Sequence, residues 1–208
     1  MSEHDFDQAL IAAAFRLAAE SGWARVTIVE AARSAGLSLA EARVRFPGKH
    51  TLLRRFGQRL DQAALAAATG EGPVRDQLFD LLMSRFDAMK PHRDGVRALL
   101  RHLPCDPATA LLLSRATRRS MRWMLHAAGQ PTGGVRGCLR VQGLVTVWVW
   151  VSRAFEHDES EDLSATMAAL DTALRRAQTA AGWLSGRRAS EQPDESAVPG
   201  AEESEPLA

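Results

Sequence analysis

Apolar positions recur every three or four residues along most of the chain, which is the period of an amphipathic helix rather than a strand. Phe6, Leu10, Ala13, Ala14 and Leu17 predict a first helix over 6–21, with Asp5 as its N-cap and Gly22 as its stop. Trp23 follows at once, so its indole is expected to fold back onto the N-terminal helices. Two short helices are predicted over 28–35 and 39–46, closed by Pro47-Gly48. A longer one follows over 49–68, burying Leu52, Leu53, Phe56, Leu60, Ala63 and Ala64. After the break at 70–73, a stripe of Leu78, Leu81, Leu82, Arg85, Phe86 and Met89 predicts a helix over 74–89, and a short one follows over 94–102. Asp106-Pro107 reads as an N-cap with proline at the first helical position, opening a helix that runs to about Ala128 and ends at Gly129. The most apolar segment, 136–157, is interrupted by Arg140, Gln142 and Arg153, so burial in the protein and against a partner subunit accounts for it better than a membrane span. The acidic run 158–162 opens the last helix, whose stripe is Leu163, Met167, Leu170, Leu174 and Ala177 and which closes at 182–184. The expectation is an all-α fold of nine helices.

The most informative stretch is 27–49, TIVEAARSAGLSLAEARVRFPGK. Thr27 and Ser38 each stand three residues before a glutamate, Glu30 and Glu41, the spacing of a capping box. Between them Gly36 supplies the positive φ that ends one helix, and Leu37 is apolar where the turn must be pinned to a core. Two short helices about a glycine turn make a helix-turn-helix candidate.

Composition adds limits. With 208 residues, 46% of them hydrophobic, the chain can bury a full core without disulfides or a metal. Its two cysteines form no CxxC or Cys/His cluster, which fits a reducing cytoplasm, and its polar, acidic start is unlike an export signal. The formal net charge of +1 conceals an asymmetry: residues 23–59 hold eight basic residues against two acidic ones, and 185–208 six acidic against two basic. The expected organisation is a helix-turn-helix head over 1–48, a helical body over 49–184 and a disordered acidic tail over 185–208.

No catalytic pattern stands out. The six histidines are dispersed, and no HExxH, phosphate loop or GxSxG elbow is present, so neither catalytic residue, metal nor cofactor is expected. Arg115, Arg118, Arg119 and Arg122 either line an anionic pocket or form a solvated face. The head offers a different chemistry, because the second helix of such a motif enters the major groove of DNA while nearby bases grip phosphates. Arg43 and Arg45 lie on that helix, Lys49 begins the next, and Thr27 and Arg33 flank the first. Ser38, Leu39 and Ala40 stand at its start, where the apolar pair suits thymine methyls. Glu41 is either repelled by phosphates or occupied locally in its capping box.

The helix over 6–22, the string TIVEAARSAGLS, Phe46-Pro47, Lys49 and Leu52-Leu53 together resemble the DNA-binding domain of the TetR family of bacterial regulators. That resemblance implies a homodimer formed by the last two helices, binding to double-stranded DNA, and a body pocket for a small ligand that shifts the spacing of two heads. In place of the family's usual aromatic recognition helix stand Leu39-Ala40-Glu41-Ala42 and Arg43-Val44-Arg45. A second resemblance covers 120–174, with Trp123, Ala128-Gly129, the acidic run 158–162, Thr166-Met167 and Leu170-Asp171. It is similar to lipid-binding accessory proteins of ubiquinone biosynthesis, which share the TetR fold. This implies an isoprenoid or lipid pocket around Trp123, Met124, Leu144 and Trp148, and contact with a membrane surface or a quinone-pathway enzyme.

Overall fold

The computed structural model describes residues 2–68 and 70–189, excepting the side chains of 181–189. Among the described residues there are nine α-helices and no strand. They are α1 (Glu3–Ser21), α2 (Ile28–Ser34), α3 (Leu39–Arg45), α4 (Lys49–Ala66), α5 (Val74–Met89), α6 (Arg93–His102), α7 (Pro107–Ala127), α8 (Gly134–His157) and α9 (Ser164–Ala189). Predicted and observed boundaries differ most at two places. The first helix is capped by Ser2 rather than Asp5, and Asp5 instead completes a reciprocal capping box, its carboxylate accepting from the Ser2 backbone N–H at 3.0 Å. Periodicity marks where burial begins, at Phe6, whereas the cap lies one exposed turn upstream. At the other end the acidic run precedes α9 instead of opening it, and the helix passes Gly182 to reach Ala189. Most of the predicted acidic tail, 190–208, lies outside the described residues.

What displaces the start of α9 is Asp158, which is buried. Its Oδ1 accepts from the Ser160 N–H at 3.0 Å and from the Ser160 hydroxyl, and its Oδ2 from the Thr166 N–H at 2.8 Å and the Thr166 hydroxyl at 2.7 Å. Burial alone would raise this carboxyl, but the four hydrogen bonds outweigh it and hold the pKa at about 2. The α8–α9 connection is thereby fixed around one ionised side chain.

Head and body share a tight seam. Phe15 of α1 packs against Phe56 of α4 with the rings tilted by 50° and their centroids 4.4 Å apart, and both rings meet His92 at 5.5 Å. Burial, seconded by the Arg59 charge, lowers the pKa of His92 and keeps its ring neutral in this apolar setting. Trp23 is buried beside Phe15, as its place after Gly22 predicts. Where α6 crosses α1, Gly95 has no space for a side chain: a Cβ there would lie 2.2 Å from the Phe15 carbonyl oxygen.

The body is centred on α5. Phe86 stacks on Trp148 of α8 at 4.5 Å and 16° and meets Phe155 at 5.4 Å. Its immediate neighbour, Arg85, is buried, ion-paired to Asp61 of α4 and placed 4.8 Å above the Trp148 ring. Asp61 accepts a second bond, 2.7 Å long, from the Ser120 hydroxyl of α7. Burial lowers the Arg85 pKa while Asp61 opposes the shift. Four helices therefore meet at one buried charge pair.

Candidate nucleic-acid interface

The helix-turn-helix is assembled by local chemistry. Thr27 accepts from the Glu30 N–H at 3.1 Å and donates its hydroxyl to the Glu30 carboxylate at 2.9 Å, which leaves that carboxylate on the hydroxyl rather than on the backbone. Gly36 adopts φ 66°, and the Leu37 N–H reaches back to the Ala32 carbonyl at 2.8 Å, closing α2. Leu37 is buried. Ser38 caps α3 through the Glu41 N–H at 3.4 Å, while the Glu41 carboxylate turns to Arg45 at 3.9 Å. Both hydroxyl caps form as the spacing predicts. For Glu41, the local partner is an arginine one turn on.

Only Ala42 of α3 is buried, and Phe46 just beyond it anchors the helix end in the core. The opposite face presents Leu39, Ala40, Arg43 and Val44, with Val44 82% exposed. Thr27, Arg33 and Ser38 are exposed around this face. The Arg43 guanidinium donates to the Pro47 carbonyl at 3.1 Å, a single contact that leaves most of its N–H groups to solvent. Lys49 is half-buried, with long 3.4 Å contacts to the Trp23 and Ala24 carbonyls and its ammonium 5.7 Å from the Trp23 ring.

Arg45 lies elsewhere. Its side chain is 13% exposed and binds Asp7 at 2.7 Å and Glu3 at 3.3 Å, over the Phe6 ring. The side-chain hydrogen bond to Asp7 raises its pKa. Asp7 also pairs with Arg55, so one carboxylate of α1 ties α3 to α4. Arg45 is therefore withdrawn from the expected phosphate-gripping set and holds the orientation of α3. Charge follows suit: with α1 included, residues 2–59 carry nine basic and six acidic residues, a smaller excess than 23–59 has alone.

Sequence reasoning passed over Val44 and Asp7. Val44 stands four residues after Ala40, on the same side of the helix, so helical periodicity alone identifies it. No sequence signal pairs Asp7 with an arginine 38 positions away.

Of the predicted pocket residues, Met124, Leu144 and Trp148 lie in the core, and the Phe86 ring covers one face of Trp148. Trp123 faces solvent instead, at 56% exposure, because α7 turns it about 100° from its buried neighbour. Among the described residues no group of three metal-ligating side chains gathers, and no helix is long and apolar enough to cross a membrane.

Solved structures share this architecture. A TetR transcriptional regulator from Nitrosomonas europaea aligns at a TM-score of 0.67 and 24% identity, over 86% of this chain and 99% of its own. A tetR-family transcriptional regulator from Streptomyces coelicolor aligns at 0.61 and 21% identity, over 94% of this chain and 93% of its own. A TetR transcriptional regulator from Rhodococcus sp. RHA1 aligns at 0.52 and 21% identity, over 83% and 98%. No protein-family model and no curated protein matches the sequence. The arrangement of α1–α9, with its helix-turn-helix at α2–α3, is the fold of the TetR-family transcriptional regulators.

Proposed function

We propose that the chain is a TetR-type transcriptional regulator, a homodimer that binds double-stranded DNA and responds to a small apolar ligand. The observation that carries this reading is the outward face of α3, where Leu39, Ala40, Arg43 and Val44 stand clear of every intramolecular load except the Arg43–Pro47 contact. Its small apolar side chains suit thymine methyls, and Arg43 supplies either a phosphate contact or a bidentate guanine contact. Val149 and Trp150 of α8 and Met167 of α9 are exposed apolar residues on the hairpin, and they support a dimer through those helices. Two α3 helices about one two-fold axis would then meet successive major grooves.

The test is fluorescence anisotropy of the purified protein on DNA from its own upstream region and on random duplex of equal length. Binding that prefers the upstream DNA at least tenfold near physiological salt is the expected result, and equal binding to both overturns the regulator reading. In that event, mass spectrometry of lipids extracted from the protein tests the quinone- or lipid-binding accessory function, which shares the apolar ligand but needs no DNA.

A further inference from the structure

Between Asp106 and Glu156 the sequence holds seven arginines and no acidic residue. This interval comprises α7, its turn and nearly all of α8. Arg115, Arg118, Arg119 and Arg122 are all exposed on α7, with Trp123 exposed beside them. Arg118 donates to the Gln142 side chain of α8 at 2.9 Å. Arg115, Arg119 and Arg122 have no hydrogen-bond or ion-pair partner among the described residues. Five arginines elsewhere are paired with carboxylates, Asp7 with Arg45 and Arg55, Asp61 with Arg85, and Asp171 with Arg75 and Arg175, whereas the α7 arginines stand together on one helix with no carboxylate among them. On α7 the spacings of three and four residues bring like charges together, each pair costing a few tenths of a kcal/mol, about 0.2–0.5. A solvated guanidinium face with an exposed tryptophan is built to receive carboxylates or phosphates.

The same chain carries a matching anion. Residues 190–208 contain six acidic residues and no basic one. Their starting point is favourable, because α9 follows α8 through a short connection and packs back along it as a hairpin. The end of α9 therefore returns toward the start of α8, which is also where α7 ends. Nineteen residues reach up to about 60 Å when extended, against the roughly 10 Å from Arg115 to Arg122. We propose that the acidic segment 190–208 docks across the arginine face of α7. Covalent attachment gives the segment an effective concentration of order millimolar, which favours it over a dilute external anion. The arginine face lies on α7 and makes no use of the α3 residues assigned to DNA, so the inference stands independently of DNA binding.

Cys138 provides the reporter. It is exposed and lies one helical turn before Gln142, on the edge of α8 that Arg118 reaches. In full-length protein with Cys105→Ser, a nitroxide on Cys138 is expected to broaden the amide signals of 190–208 in about 50 mM salt, with recovery above about 0.5 M. The broadening should vanish when the six acids are replaced by their amides, and equally in an Arg115→Gln, Arg118→Gln, Arg119→Gln, Arg122→Gln variant. The amide variant leaves the folded helices untouched, so the test survives poor folding of the other. Sharp tail signals at low salt, or broadening that persists in the amide variant, overturn the proposal. Vesicles of phosphatidylglycerol and random duplex DNA distinguish the other occupants: amide replacement should increase α7-dependent capture several-fold. Equal capture with and without the tail charges shows an open face and also overturns it.

Discussion

Arg43 and Arg45 differ by two positions, and two positions on an α-helix are about 200° apart. That rotation sends Arg43 to solvent and Arg45 onto Asp7, so equal residue types acquire unequal roles. Arg43→Ala is expected to weaken DNA binding and to reduce the slope of log affinity against log salt by about 1, with unchanged thermal stability. Arg45→Ala leaves Asp7 short of a partner in a partly buried setting and should cost about 1–3 kcal/mol of stability, measured by denaturant unfolding. Loss of DNA affinity in both variants without loss of stability in either would refute this division. Asp158 makes a residue-scale prediction about pH. Its folded pKa of about 2 lies below the unfolded value, so its contribution is present at neutral pH and fades as pH falls from about 4 through 2. Asp158→Asn should accordingly lower Tm at pH 7, and the gap to the parent should close toward pH 2. A gap constant over that range would show that the carboxylate charge is not what fixes the α8–α9 connection.

At the scale of elements, legibility followed locality. The boundaries of α2 to α8 were readable because caps, glycine stops and prolines act within one turn of the residues that carry them, as Thr27, Gly36, Pro47 and Asp106-Pro107 do. The start of α9 was not, since it depends on a buried Asp158 bonding to Thr166 eight residues away, and an acidic run by itself resembles a helix N-terminus. The candidate DNA face was legible in its turn and its reading helix, while the diversion of Arg45 depended on a carboxylate across the fold. The tight crossing of α6 over α1 was equally hidden: Gly95 within α6 looks like a weak helix residue, and only the approach of α1 explains it. Gly95→Ala should gain helix propensity yet lower Tm, because the obstructing atom is the Phe15 backbone carbonyl and cannot rotate away. An overpacking cost of about 1–3 kcal/mol corresponds to about 2–4 °C per kcal/mol for a chain of this size. A Tm equal to or above that of the parent, by calorimetry, would place the seam elsewhere.

At the scale of the whole molecule, the proposed function requires that two heads be held at a fixed separation, and the burden falls on α8 and α9. The buried side of α8 is filled by Val141, Leu144, Val147, Trp148, Val151 and Phe155, which consume one face of the helix. Val135, Leu139, Val149 and Trp150 remain on the other, exposed at 78%, 58%, 49% and 42%. Such a face costs hydration unless a second copy covers it, and residues on a two-fold interface meet their own counterparts. Arg153 is exposed one turn from Val149, and Arg176 of α9 lies 5.8 Å from the Trp150 ring. A cation at position 150 would therefore face like charge within its own subunit and across the two-fold axis. Trp150→Lys is expected to shift the protein from dimer to monomer at micromolar concentration, read by light scattering, without loss of helical signal in circular dichroism. DNA affinity should fall with it, because one head alone makes half of the phosphate contacts. A Trp150→Lys protein that stays dimeric would move the interface off this face, and a monomer that binds DNA with unchanged affinity would separate dimerisation from recognition.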